Sequence, residues 1–147
     1  GKTERTIPSM LNYEVHISKE SMFNTPPCFS IYTTMLTLEW VKKLGGVKEM
    51  KKRNLAKSSL LYQEIDRNSL FEGTAKTEDR SVMNPTFILR NASLNEEFLT
   101  KSIEAGISGI KGHRSVGGFR ASMYNALGIE SVYALVDVMK DFEKMKG

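Results

Sequence analysis

Apolar residues recur at spacings of three and four in several stretches of this chain. The most regular is the last, where Val132, Leu135, Val136, Met139 and Phe142 define one face of a helix over residues 129–145. A helix over 47–66 carries Lys and Glu along its outer side, and Gly45-Gly46 before it supplies a left-handed cap for a preceding helix over 28–44. In that preceding helix Ile31, Tyr32, Met35, Leu36, Leu38, Trp40 and Val41 cover more than one face, so burial on several sides is expected. A further helix spans 94–105, with Asn91 or Ser93 as its cap, Leu94, Phe98 and Ile103 turned inward, and Gly106 ending it. Residues 1–27 hold no sustained period and contain Pro8, Pro26 and Pro27, which predicts an extended or irregular arm.

Strand candidates lie at 70–72, 81–89, 107–110 and 118–124. Pro85 falls inside the second. Because proline cannot donate to a ladder, that strand is expected at a sheet edge or bulged near Asn84-Pro85. Helices and short strands in the order α-α-β-β-α-β-β-α predict an α+β fold, with a small, mostly antiparallel sheet covered by helices on one face. The arm over 1–27 and a body over 28–147 are the expected divisions, and no internal repeat is present.

A chain of 147 residues, 40% hydrophobic and 26% charged, can bury a core without metal or disulfide staples. Its single cysteine, Cys28, forms no internal disulfide, and no Cys/His cluster has zinc spacing, so no metal is expected. No apolar run reaches the roughly 20 residues that span a bilayer, and a signal-peptide stretch is lacking, which points to the cytoplasm. The net charge of +4 is spread along helices rather than gathered into a block, which disfavours nucleic acid as a partner. The chain lacks an initiating Met and opens in a polar stretch, as a piece of something larger would.

The segment Lys111-Gly112-His113-Arg114-Ser115-Val116-Gly117-Gly118-Phe119-Arg120 gathers cationic and titratable side chains among glycines. Arginine meets a carboxylate or phosphate with parallel hydrogen bonds, and glycines admit backbone N–H groups to the same oxygens. Arg114 and Arg120 are therefore candidate anion clamps and His113 a further donor; each could instead be a surface or structural residue. A ligand with two anionic groups would suit the segment. Upstream, Asn24 and Thr25 precede Pro26-Pro27 and could either grip phosphate oxygens or cap the following helix. Walker-type loops, Gly-x-Gly-x-x-Gly, Gly-x-Ser-x-Gly elbows and a Cys matched to a His are all absent. The eight Met residues read as core filler.

Four motifs carry a resemblance: Pro8-Ser9-Met10-Leu11-Asn12-Tyr13, Ser21-Met22-Phe23-Asn24-Thr25-Pro26-Pro27, Arg80-Ser81-Val82-Met83-Asn84, and Lys111 through Ala126. In that order they resemble the C-terminal part of the phosphoserine aminotransferases, from about Ile7 to Gly147. The resemblance implies the end of the large domain followed by the small domain of a dimeric fold-type I enzyme. Such an enzyme uses pyridoxal phosphate to move an amino group between glutamate and 3-phosphohydroxypyruvate in serine synthesis, with vitamin B6 synthesis as a side branch in many bacteria. It assigns Asn24 and Thr25 to the cofactor phosphate of the neighbouring subunit, His113 and Arg114 to the substrate phosphate, and Arg120 to the substrate carboxylate.

The same resemblance places the lysine that binds the cofactor covalently upstream of this segment, so no catalytic residue is assigned, and the segment alone is expected to be inactive and without cofactor. Its partners would be the missing N-terminal large domain and a second copy. The sequence departs from the family at Asn84-Pro85-Thr86-Phe87 and Leu127-Gly128-Ile129-Glu130, where local backbone shape is expected to differ. Two other readings stay open: a small-anion binding module acting through Arg114 and Arg120, and an interaction module docking through the arm and first helix.

Overall fold

The computed structural model describes residues 4–112 and 117–147 of the chain. It divides into two units, Gly1–Lys43 and Leu44–Gly147.

In the first unit the proline-bounded arm is more structured than its lack of period predicts. Helix α1, Tyr13–Ser18, follows a short 3-10 turn, and the Asn12 side chain caps it by accepting from Glu14 N–H at 3.0 Å. Six residues are too few to display a helical period, which is why the cap and not the apolar pattern marks this element. His16 Nε2 lies 2.9 Å from the Met10 carbonyl oxygen, and the His16 and Phe23 rings meet edge-on with centroids 5.5 Å apart. Helix α2, Cys28–Lys43, has no buried residue, contrary to the burial its apolar pattern predicts: Phe29, Ile31, Tyr32, Met35 and Leu38 are all exposed. Its own unit is too small to cover a helix that is apolar on several faces.

The second unit holds the core. Helix α3, Gly46–Arg67, buries Met50, Asn54, Lys57, Ser58, Leu61, Glu64 and Ile65, a stripe stepping by three and four. The left-handed turn expected before it is present, with φ of 104° at Gly45 and 78° at Gly46. Strands β1 (Phe71–Gly73), β2 (Thr86–Leu89) and β3 (Phe119–Arg120) form an antiparallel sheet in the order β1-β2-β3. Phe71 pairs with Leu89, and Phe87 with Phe119. Helices α4, Asn95–Glu104, and α5, Ile129–Lys146, complete the α+β fold. In α5 the five residues picked out by periodicity are the buried ones. In α4 the inward residues are Phe98 and Ser102, while Ile103 is exposed. Residue 103 is one step of about 100° past the Phe98–Ser102 line, and Ser102 is tolerated inside because its Oγ donates to the Phe98 carbonyl at 2.9 Å.

The strands are shorter than predicted, each for a local reason. The run over 81–89 is broken because Ser81 Oγ accepts from both Met83 and Asn84 N–H groups, which folds residues 81–84 into a turn. Pro85 therefore precedes β2, which is the central strand and neither an edge nor bulged at that point. Its missing N–H is not needed, while its carbonyl accepts from Ala121 N–H at 2.9 Å. Residues 107–110 form no strand; Gly109 has a φ of 72°, and the pairing reduces to a bridge between Lys111 and Phe119.

Phe98 stands at the centre of the core, its ring centroid 4.9 Å from Phe71, 5.0 Å from Phe119 and 5.3 Å from Phe142, each meeting it at a steep angle. With Phe71, Phe87 and Phe119 turned to this face, strand alternation places Glu72, Ile88 and Arg120 on the other, where all three are exposed.

Candidate functional site

Arg120 is held by its backbone before its side chain does anything. Its N–H donates to the Ile110 carbonyl at 2.8 Å, and Gly112 N–H donates to the Gly118 carbonyl at 2.9 Å, which closes the basic glycine segment at its base. Only glycine serves at Gly118: its φ is 63°, and a Cβ there would sit 2.8 Å from both Ile88 Cγ2 and the Phe87 carbonyl oxygen. A Cβ on Gly112 would likewise collide with the Gly117 carbonyl. The close approach of these two backbones leaves room for β3 against β2, and alternation along β3, with Phe119 buried, turns Arg120 outward.

The Arg120 side chain is exposed at the rim of a cavity of about 420 Å³, which Ile107, Gly109, Ser122, Leu127 and Ser131 also line. Among the described residues its guanidinium has no hydrogen-bond or ion-pair partner, so five N–H donors remain available to an anion. A carboxylate is the group whose geometry matches that fork. Ser122 and Ser131 add hydroxyls to a lining that is otherwise largely apolar.

The other expected site residues fall elsewhere. His113 and Arg114 lie outside the described residues. Asn24 and Thr25 belong to the first unit, and both are exposed. Asn24 Nδ2 donates to Met10 Sδ at 3.3 Å.

A second polar cluster was not visible as a unit in the sequence. Arg80 donates through both terminal nitrogens to the two oxygens of Asp66, each at 2.6 Å, and its guanidinium stacks 4.5 Å from the Tyr62 ring centroid. Tyr62 Oη donates in turn to the Ser81 carbonyl at 3.1 Å. The hydrogen bonds from Arg80 hold the Asp66 carboxyl below its usual range, and burial pushes the Tyr62 phenol up. The Arg80-Ser81 motif thus ties the turn before β2 to α3.

The family model for class-V aminotransferases matches residues 2–135. The chain belongs to the class-V aminotransferase family. Phosphoserine aminotransferase of Flavobacterium psychrophilum is 62% identical over 143 residues, covering 97% of this chain and 40% of that protein. The chain thus spans two fifths of the length of this curated relative. Among solved structures, phosphoserine aminotransferase from Bacillus circulans subsp. alkalophilus is 42% identical with a TM-score of 0.87, over 96% of this chain and 39% of that one. PLP-bound phosphoserine aminotransferase from Trichomonas vaginalis is 34% identical with a TM-score of 0.81, over 95% of this chain and 40% of that one.

For a segment of a class-V aminotransferase, a buried lysine calls for scrutiny, and Lys57 is the one buried lysine among the described residues. Its Nζ donates to the carbonyls of Tyr124 at 2.8 Å, Leu127 at 3.1 Å and Met123 at 3.3 Å. All three ammonium protons are committed to backbone, so Lys57 is a structural cation rather than a free amine. Burial pushes its pKa below the usual lysine range. Its signal in the sequence was positional: residue 57 falls on the inward stripe of α3, where a lysine needs acceptors inside the fold.

Proposed function

We propose that this chain is the C-terminal segment of a phosphoserine aminotransferase, which transfers an amino group between glutamate and 3-phosphohydroxypyruvate to give O-phosphoserine and 2-oxoglutarate. The observation that carries the reading is the 62% identity to a phosphoserine aminotransferase along 97% of the chain. Arg120, exposed at a cavity rim and without a partner among the described residues, supports it, because both substrate pairs carry a carboxylate for that guanidinium to receive.

In this reading Arg120 receives the substrate carboxylate, and His113 with Arg114 receives the phosphate. Asn24 and Thr25 donate to the phosphate of pyridoxal phosphate in the neighbouring subunit of a homodimer. Their chemistry fits that group. Among the described residues the Asn24 amide nitrogen donates to a thioether, a weak acceptor that a phosphate oxygen readily displaces, and Thr25 is exposed. Pyridoxal phosphate, when bound, supplies the electron sink for moving the amino group. This segment contributes binding and orientation: the arginine fork fixes where the substrate lies and neutralises its charge. The family resemblance places the amine that anchors the cofactor upstream, in the rest of the protein, and Lys57, committed to carbonyls, does not take that role. A cytoplasmic setting, with its reducing conditions, accords with the exposed free thiol of Cys28. Among the described residues no helix is long and apolar enough to cross a membrane.

The test is transamination of 2-oxoglutarate by O-phospho-L-serine with added pyridoxal phosphate. The full-length protein is expected to be active, and residues 1–147 alone to give no rate above a cofactor-only blank. An inactive full-length protein, or an active segment, contradicts the reading.

A further inference from the structure

Segment 123–127, directly after Arg120-Ala121-Ser122, is gripped from two sides. On the β2 side, Ala121 N–H donates to the Pro85 carbonyl at 2.9 Å and Met123 N–H to the Met83 carbonyl at 2.7 Å. On the α3 side, Lys57 Nζ gathers the carbonyls of Met123, Tyr124 and Leu127, and Asn54 Nδ2, one turn earlier, donates to Asn125 Oδ1 at 2.7 Å. Leu127 N–H donates back to the Tyr124 carbonyl at 2.9 Å, which makes the segment a turn whose oxygens face one cation.

Burying an ammonium is costly, and an apolar side chain of similar length would fill the same space without that cost. What the cation supplies is geometry. Three carbonyl dipoles that would repel one another are fixed to a single point on a long, rigid helix. Arg120 stands on the strand that this turn terminates, and Ser122 and Leu127 line the same cavity as Arg120. A side chain aimed from the end of a two-residue strand has little of its own to hold it; its direction is set by the anchors on either side.

We infer that Lys57 is a positioning residue for Arg120: by clamping the turn after β3 to α3, it fixes the direction from which the guanidinium meets the substrate carboxylate. The inference rests on the reading of Arg120 as that carboxylate's partner. It predicts a specific energetic coupling between two residues in different elements, one buried and one exposed.

The experiment is a double-mutant cycle in the full-length holoenzyme, with steady-state kinetics on O-phospho-L-serine for Lys57→Met, Arg120→Ala and the pair. Lys57→Met is expected to lower kcat/KM on the order of 10-fold or more, as small misplacements of binding groups do, chiefly through KM. In the Arg120→Ala background the same change is expected to have little further effect. If Lys57→Met leaves KM unchanged while Arg120→Ala raises it, or if the two losses multiply, the positioning role is wrong and Lys57 serves the fold alone. If Arg120→Ala itself leaves KM unchanged, the carboxylate reading fails and the inference with it. Should Lys57→Met not fold, Lys57→Arg takes its place. It keeps the charge but replaces three radiating protons by a planar fork, so KM is expected to rise, again only when Arg120 is present; an unchanged KM overturns the inference.

Discussion

At the scale of single residues, the polar groups of the second unit are arranged by what they must satisfy. Glu64 is buried at the end of α3, where it accepts from Arg67 Nη2 at 2.6 Å and Asn68 Nδ2 at 2.8 Å. Arg67 Nη2 also reaches Glu143 on α5 at 2.7 Å, and Glu143 accepts the Ser69 N–H at 2.6 Å. The Ser69 N–H first, and the Arg67 guanidinium after it, hold the Glu143 carboxyl below the usual range. A lowered folded-state value means that the ionised form is favoured by folding. The resulting stability is present above the ordinary carboxylate value near 4.5 and disappears as pH falls through the lower folded one. Thermal unfolding of Glu143→Gln should therefore fall below that of the unaltered protein at pH 7, with the gap narrowing as pH drops into the range between the two values. A gap independent of pH would mean that the carboxylate's charge is not what matters. Residue-scale chemistry was half legible in the sequence. Arg120 stood out by its glycine neighbours, whereas Lys57 was hidden among the many lysines of α3 because its significance lies in carbonyls 66 to 70 residues away.

At the scale of elements, what was readable followed the length over which a pattern could repeat. Helices α3 and α5 run for 22 and 18 residues, long enough for a stripe of three and four to be unmistakable. Helix α1, with six residues, offered no such stripe, and the arm was expected to be irregular. Strands of two to four residues are defined by partners rather than by their own alternation, so a serine turn and a proline decided where β2 begins. The hydrogen bond from Gly112 N–H to the Gly118 carbonyl, beside the Lys111–Phe119 bridge, lies next to Arg120 on β3. Gly118→Ala forces a side chain into a left-handed residue and against the Phe87 carbonyl, at a cost of roughly 1–2 kcal/mol from the backbone conformation alone. Differential scanning of this variant should show a lower Tm together with a raised KM for O-phospho-L-serine, since β3 must retreat from β2. A full-strength site with only a lower Tm would separate the Gly118 backbone from the aim of Arg120.

At the scale of the whole molecule, the two units differ in kind. Unit Leu44–Gly147 has its own core, and Phe98 is that core's hub, buried completely and meeting Phe71, Phe119 and Phe142 edge-on. Phe98→Ala should cost about 3–5 kcal/mol by creating a cavity that three aromatic rings cannot fill, and denaturant unfolding would measure it. A loss below about 1 kcal/mol would mean that the core repacks freely. Unit Gly1–Lys43 buries nothing along α2 and leaves its apolar faces open, as expected of a segment that spans two fifths of its relatives' length. Reading function at this scale required the family: periodicity gave an α+β fold and the basic glycine segment an expected anion site, but neither gave the reaction.

The claim on which the account turns is that Arg120 binds the substrate carboxylate of a phosphoserine aminotransferase. Its most direct measurement is kcat/KM for O-phospho-L-serine in the full-length holoenzyme, comparing Arg120 with Arg120→Ala. Loss of a charge-assisted pair of hydrogen bonds, worth about 1.5–3 kcal/mol per bond, predicts a fall of at least roughly 10-fold, with the cofactor still bound as judged by its absorbance. Equal kcat/KM in the two proteins would contradict the account.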